Sequence, residues 1–316
     1  MTVLLLLQAL SLGPTVDSLA TAQQFSGVVV IAQNGTSVIE RAYGMADREA
    51  GRPNTIETAF NLGSINKFFT QIAIRQLAAA GKLALDSTLA RAWPDYPNQE
   101  VARRVTIRQL LEHRSGIGGN IFAAPAGKKR SDVRRLADYF ALFASEPLQF
   151  EPGTQQRYSN AGYIVLGLLV ERLAGEGYYD YVRRHIYEPA GMTRTGHFPV
   201  DSLPRNTAIG YTAGMQNPHV SVPAGRNTDL LPGRGSSAGG GYSTAPDLLR
   251  LIDALRAGKI AAAPPAGAVG IAGGAPGLNA AMEGDLPGGY DVIVLANLDP
   301  PAAESMARLI RGRIRP

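Results

Sequence analysis

Gly63-Ser64-Ile65-Asn66-Lys67 is the stretch on which the reading of this chain turns. It follows an extended-looking run, Thr58-Ala59-Phe60-Asn61-Leu62. It opens an apolar-periodic run, Ile65, Phe68, Phe69, Ile72, Ile74 and Leu77, that stops at Gly81. That spacing predicts a helix beginning at or just before Ser64. Residues three apart share a helix face, so Ser64 and Lys67 point the same way, with Ser64 near the amide-rich, positive end. A serine attacks only when a base takes its proton. A lysine is that base only when neutral, so its pKa must fall from about 10.4, which burial can achieve. Ser-x-x-Lys is also the commonplace pattern of a capped helix followed by a solvated lysine, so the rest of the chain must decide.

Working outward, the chain begins and ends in strands. Phe25 to Ala32 and Ser37 to Tyr43 are β-branched, apolar runs separated by Asn34-Gly35, a hairpin signal. Near the C-terminus, Gly270 to Gly277 is followed by a strand pattern from Leu278 to Met282, a turn at Pro287-Gly288-Gly289, and a buried-strand pattern from Tyr290 to Leu298. Between these ends the pattern is helical. Thr106 caps a short helix to His113, Ser131 caps one from Asp132 to about Ala144, and Tyr158-Ser159-Asn160 precedes an apolar helix to Leu173. A further helix runs from about Tyr178 to Tyr187. Residues 116–130 read as a loop, and 199–232 as a lid or wall of a site. Thr244 caps a helix ending at Gly258, and a last helix runs from Ala302 to about Ile314. The fold expected is α+β: one antiparallel sheet built from the N- and C-terminal segments and flanked by helices, with a mostly helical region inserted. Residues 1–62 and 236–316 would form the sheet domain, 63–235 the helical domain, with the active site at their junction.

The 316 residues are 45% hydrophobic and 18% charged, ordinary for a globular protein. The net charge of +5 is scattered. Lys128-Lys129-Arg130 and the arginines at 308, 311, 313 and 315 read as solvated faces, because no aromatic residues interleave with them, so no nucleic-acid partner is expected. Without cysteine, disulfides, thiolate metal sites and cysteine nucleophiles are excluded. Val3 to Leu12 has signal-peptide length, and Ala20-Thr21-Ala22 matches a cleavage site, which favours an exported protein over a cytoplasmic one. Against that, no Lys or Arg precedes the run, and Pro14 to Leu19 looks like a helix of the fold. The run is too short for a membrane span.

Two other patterns compete with Ser64. Gly235-Ser236-Ser237-Ala238-Gly239 matches G-x-S-x-G, but no strand precedes it and no histidine follows it. The same glycines miss the dinucleotide-binding spacing. The histidines at 113, 185, 197 and 219 show no metal-ligand spacing and read as core or surface residues. No cofactor and no metal are expected.

Ser64-x-x-Lys67 and Tyr158-Ser159-Asn160, with a Gly-rich strand near the C-terminus, resemble the serine β-lactamase and penicillin-binding-protein superfamily, and within it the class C β-lactamase-like esterases. Leu110-Leu111-Glu112-His113-Arg114-Ser115-Gly116, Glu151-Pro152-Gly153-Thr154, Gly191-Met192 and Ala238 to Thr244 support the resemblance, which spans about residues 15–316. It implies an acyl-enzyme on Ser64, with Lys67 and Tyr158 sharing the general-base work and Asn160 orienting lysine or substrate. The amides of Ser64 and Gly274 would stabilise the oxyanion. The chain departs from the family where a Lys or His, any residue and a Gly are usual: here the triplet is Ile271-Ala272-Gly273. The glycines that allow close approach remain, but the polar side chain is gone. That loss points away from β-lactam or peptide-carboxylate substrates and toward a small-molecule acyl substrate, a short-chain carboxylic ester. Arg226 or Arg234 would be the substitutes for the missing cation. The competing readings are a β-lactamase or D-Ala-D-Ala carboxypeptidase, and a catalytically silent ligand-binding homologue.

Overall fold

Val28 to Ala32 and Val292 to Ala296 are unbroken apolar runs, and a strand of that composition must be covered on both faces. Both are fully buried. The computed structural model describes residues 3–217, 220–264 and 269–314. Its main sheet has five strands: β1 (Gly27–Gln33), β2 (Thr36–Tyr43), β3 (Gly270–Ala275), β4 (Leu278–Leu286) and β5 (Tyr290–Ala296). The order is β3-β4-β5-β1-β2, antiparallel throughout. The two chain ends meet at the β1–β5 pair, where Val29 lies opposite Val294. The β1–β2 turn is Asn34-Gly35, with φ of 51° and 76°. Two positive φ values in a two-residue loop twist the flanking strands in the right hand, which is why Asn-Gly is chosen here.

The helices that matter to the site are α1 (Val3–Ala22), α2 (Asn66–Ala79), α3 (Ile107–Leu111), α4 (Asn160–Ala174), α5 (Ala245–Arg256) and α6 (Ala302–Arg311). Alternation along the strands divides the sheet's contacts. Val29, Ile31, Val292 and Val294 meet Leu12, Val16 and Ala20 of α1 and Met306 and Ile310 of α6. Val28, Val30, Ile293 and Leu295 face a larger core shared with α2, α4 and α5. Asp17 of α1 accepts hydrogen bonds from Arg41 at 3.2 Å and Tyr43 at 2.6 Å. The stretch around Pro14 is therefore packed as part of the fold, and Ala20-Thr21-Ala22 is the last turn of α1. Among the described residues no helix is long and apolar enough to cross a membrane.

Three elements differ from the sequence reading. The helix expected from Asp132 to Ala144 is a 3-10 turn, Arg130–Asp132, and a separate short helix, Leu136–Phe140. The carboxylate of Asp138 accepts the backbone N–H of Arg134 and of Arg135, which starts the helix there. The strand expected from Leu278 to Met282 continues to Leu286. The central helix opens with a 3-10 turn, Gly63–Ile65, before α2 proper. Pattern arguments place such boundaries poorly because the capping side chains lie outside the apolar period.

Asp291 is a fully buried carboxylate on β5. It accepts from Arg256 at 2.9 Å and from the Asp285 N–H at 3.0 Å. Arg256→Ala should lower stability by about 3 kcal/mol, because a buried carboxylate would lose its counter-ion. Equilibrium denaturation in urea checks this, and an unchanged midpoint would show that Asp291 is satisfied without the arginine.

Candidate active site

Ser64 sits on the tight turn before α2, and its geometry depends on close backbone packing. Gly63 has φ +50°, and a Cβ there would lie 2.8 Å from the Gly274 nitrogen. A Cβ on Gly273 would lie 2.2 Å from the Leu62 carbonyl oxygen and 2.5 Å from the Ser64 nitrogen. Only glycine lets β3, the sheet's edge strand, run this close to the turn that carries Ser64. The Gly273 carbonyl accepts from the buried Asn279 side chain at 2.9 Å. Across a trans peptide the next N–H points the opposite way. The Gly274 N–H is thereby directed away from Asn279, toward the open edge beside Gly63 and Ser64. Asn279 also accepts the first N–H groups of α6, from Ala303 at 2.6 Å and Glu304 at 3.2 Å. One buried side chain thus orients this peptide and caps a helix.

Lys67 lies one turn on from Ser64 and is 5% exposed. Its Nζ reaches Ser64 Oγ at 3.0 Å, Asn160 Oδ1 at 2.8 Å and the Ala238 carbonyl oxygen. The amide oxygen and the carbonyl can only accept, so they take two of its hydrogens. A neutral amine then has a lone pair left for the Ser64 hydroxyl. Burial lowers the Lys67 pKa from 10.5 to about 7, so the neutral form is abundant at ordinary pH. The Ala238 carbonyl is presented by a buried loop whose Ser237 carbonyl accepts from Thr70 of α2 at 2.7 Å.

Tyr158 completes the group. Its hydroxyl donates to Ser64 Oγ at 2.6 Å. Partial burial raises its pKa and the Ser64 hydrogen bond opposes that, although 56% of the residue stays exposed. The hydroxyl therefore stays protonated at neutral pH. Tyr158 is held by His113, which stacks on its ring with centroids 4.6 Å apart. The backbone N–H of Arg157 donates to the His113 carbonyl at 2.9 Å, and that of Ser159 to His113 Nδ1 at 3.1 Å. Burial and the nearby Lys67 push the His113 pKa down to about 4, so it remains a neutral acceptor. Asn160 begins α4, and Ser159 caps that helix by accepting from the Gly162 N–H at 2.9 Å. A cap followed by the first helical residue places Tyr158 outside the helix and Asn160 on it, both facing Ser64 and Lys67.

Two cavities meet at Ser64. The larger, about 610 Å³, is lined by Gly63, Ser64, Asn160 and Gly274 and walled by Phe122, Phe198, Leu230 and Leu278. The smaller, about 260 Å³, is lined by Ser64, Lys67, His113, Tyr158, Tyr163 and Ile271. Ile271 contributes hydrocarbon there, as its place in the triplet implies. The expected substitute cations lie elsewhere. Arg234 donates to the His197 carbonyl at 2.7 Å and stacks on Tyr179, and Arg226 pairs with Glu49 at 3.5 Å. Neither lines either cavity. The cation that does enter the larger cavity is Arg130, which in sequence is one of a basic run resembling a solvated face. The stretch 199–232 supplies a wall, through Val200, Val222 and Leu230 to Pro232. In the competing pattern, Ser236 and Ser237 are buried, and Ser237 Oγ donates to the Tyr163 carbonyl at 2.8 Å. His197 is buried, His185 bonds Glu176 at the surface, and His219 lies outside the described residues.

The chain is similar to known proteins in sequence and in fold. Residues 14–290 match the Beta-lactamase family. The chain is 34% identical over 258 residues to Esterase EstB of Burkholderia gladioli, covering 73% of this chain and 65% of that protein. It is 30% identical over 236 residues to the putative penicillin-binding protein PbpX of Bacillus subtilis, covering 75% and 56%. The chain thus spans less than two thirds of the length of these curated relatives. Among solved structures, a penicillin-binding protein from Bacillus halodurans superposes with a TM-score of 0.80 at 27% identity, covering 95% of this chain and all of that one. By sequence match and by fold, the chain belongs to the Beta-lactamase family.

Proposed function

We propose that this protein is a serine hydrolase that forms an acyl-enzyme on Ser64 and hydrolyses carboxylic esters. The observation that carries the reading is the arrangement at Ser64 Oγ: Tyr158 donates to it, and a buried lysine with two hydrogens already committed stands 3.0 Å away. Neutral Lys67 takes the Ser64 proton as Oγ bonds to the acyl carbon. The negative oxygen of the tetrahedral adduct is met by the Ser64 and Gly274 amides. Collapse breaks the bond to the leaving alkoxide, which takes the Tyr158 proton, and Tyr158 recovers one from protonated Lys67. Water then attacks the acyl-enzyme by the same steps, releasing the acid and restoring Ser64. Because Tyr158 lines only the smaller cavity, the alcohol leaves there and the acyl group occupies the larger one. Asn160 orients Lys67 by accepting its hydrogen, and Ile271 forms an apolar wall of the alcohol side.

Ile271 favours neutral alcohols over groups bearing a carboxylate beside the scissile bond, since a buried carboxylate needs a cation or several donors. Short-chain esters meet this requirement. The acyl side, at about 610 Å³, has the volume of a site for much larger ligands, so longer acyl groups fit the same reading. Hydrolysis of β-lactams or D-Ala-D-Ala peptides is the second reading, favoured by the likeness to penicillin-binding proteins and opposed by Ile271.

A serine-directed fluorophosphonate should add to Ser64, detected by peptide mass spectrometry, and Ser64→Ala should abolish both labelling and turnover of p-nitrophenyl acetate. Persistent turnover by a folded Ser64→Ala variant would sink the assignment.

The rate should carry the signature of the buried amine. Since the Lys67 pKa is lowered to about 7, the neutral base is lost as pH falls through that value, so kcat/KM should rise through about pH 7 and level off above it. Lys67→Ala and Tyr158→Phe should each cost about a hundredfold or more in kcat, and the double variant little beyond either. An acidic limb near the ordinary lysine range, or additive losses, would mean that the two groups do not act as one unit.

Substrate class should turn on position 271. The parent should hydrolyse short-chain p-nitrophenyl esters and act weakly on nitrocefin, and Ile271→His should improve the ratio for nitrocefin. Efficient β-lactam hydrolysis by the parent would refute this, and an Ile271→His variant without gain would show that the position does not limit such substrates.

A further inference from the structure

Arg130 is the one cation among the described residues that lines the larger cavity, and it is held there on purpose-built contacts. Its backbone is fixed where the Gly233 N–H donates to the Arg130 carbonyl at 3.3 Å. Its Nε donates to the Leu230 carbonyl at 2.8 Å, and its Nη1 to the Phe122 carbonyl. The guanidinium carbon lies 5.2 Å from the centre of the Phe122 ring. Two neutral carbonyls and an aromatic ring thus set its position, yet none of them neutralises it. No carboxylate pairs with Arg130 among the described residues, whereas most other arginines at ion-pair distance from an acid lie at the surface. Asp229 lines the same cavity but is exposed and makes no ion pair with Arg130. Burial lowers the Arg130 pKa, the mark of a cation losing water without gaining a counter-ion. Three of its five N–H groups have no acceptor among the described residues, including both on Nη2. They form a planar fork of the kind that carboxylates fill in pairs.

We propose that Arg130 forms an anion subsite in the acyl cavity, so that the acyl groups best accepted are apolar chains ending in a carboxylate, the half-esters of dicarboxylic acids. This rests on the ester-hydrolase reading above and names its substrate. The scissile ester lies at Ser64, the chain crosses the apolar walls made by Phe198, Leu230 and Leu278, and the terminal carboxylate meets the Arg130 fork. Ile271 and Arg130 divide the selectivity: no anion on the alcohol side, one at the far end of the acyl side.

The test compares p-nitrophenyl monoesters of the adipate-to-sebacate series with the neutral monocarboxylic esters of matched chain length. The parent should prefer the carboxylate-terminated ester at one or more lengths. Arg130→Gln should reduce that preference about tenfold while sparing the neutral esters, and Arg130→Lys should keep part of it, since a hydrogen-bonded charge pair is worth about a factor of ten. If Arg130 only ties residue 122 to residue 230, neutral and anionic rates fall together and the ratio stays put, which overturns the proposal. A binding measurement separates it from the catalytic reading. Calorimetry with monomethyl suberate on Ser64→Ala, with and without Arg130→Gln, should show about tenfold weaker binding when the arginine is absent. Loss of turnover in the parent with this difference intact would leave the subsite standing and the hydrolase reading fallen. Equal binding by the two variants overturns the subsite whatever the turnover.

Discussion

An ammonium group taken out of water is what the rest of this molecule is arranged around. Lys67 lies in the core beneath Ser64, and desolvation alone brings its pKa to about 7. In water the same amine would hold its proton at neutral pH. The fold supplies only neutral oxygens to it, Asn160 Oδ1 and the Ala238 carbonyl. A carboxylate in either place would stabilise the charged form. The group is therefore solvated well enough to be tolerated and poorly enough to lose its proton near pH 7.

Holding that amine requires three parts of the chain remote in sequence. The helix after Gly63 brings Ser64 and Lys67 to one face. The cap of α4 sets Tyr158 and Asn160 on either side of Ser159. The buried loop at 236–239 turns the Ala238 carbonyl inward, secured by Thr70 and Tyr163. His113 joins the second of these to the site by stacking on Tyr158 and accepting from the Ser159 N–H. It is a neutral imidazole chiefly because it is buried, with the nearby Lys67 adding to the effect.

The sheet contributes rigidity at its edge. β3 runs beside the Ser64 turn at distances that exclude any side chain at Gly63 or Gly273. Its position is set by β4 and by Asn279, which is anchored in turn to the start of α6. Ile271 lines the smaller cavity, and the aromatic and aliphatic walls line the larger one together with Arg130.

What could be read in the sequence was what short-range periodicity encodes. Ser64 and Lys67 are bound to one face by helix geometry, Asn34-Gly35 dictates its own turn, and the apolar runs of β1 and β5 demand burial on both faces. The places of Tyr158 and Asn160 came from the resemblance of Tyr158-Ser159-Asn160 to a family motif, and only the cap at Ser159 is itself local structure. The environment of those residues was decided by tertiary contacts. The Ala238 carbonyl is a main-chain acceptor with no side-chain signature. The pKa of Lys67 depends on how completely distant helices exclude water. The three adjacent basic residues at 128–130 look alike in sequence, yet Lys128 and Lys129 remain exposed while Arg130 turns into the cavity, because the chain pairs with Gly233 at that residue. The short helix Leu136–Phe140 starts late for a related reason: Asp138, rather than the apolar period, captures the free N–H groups. A sequence states which residues can share a face; only the packed chain states which of them are denied water.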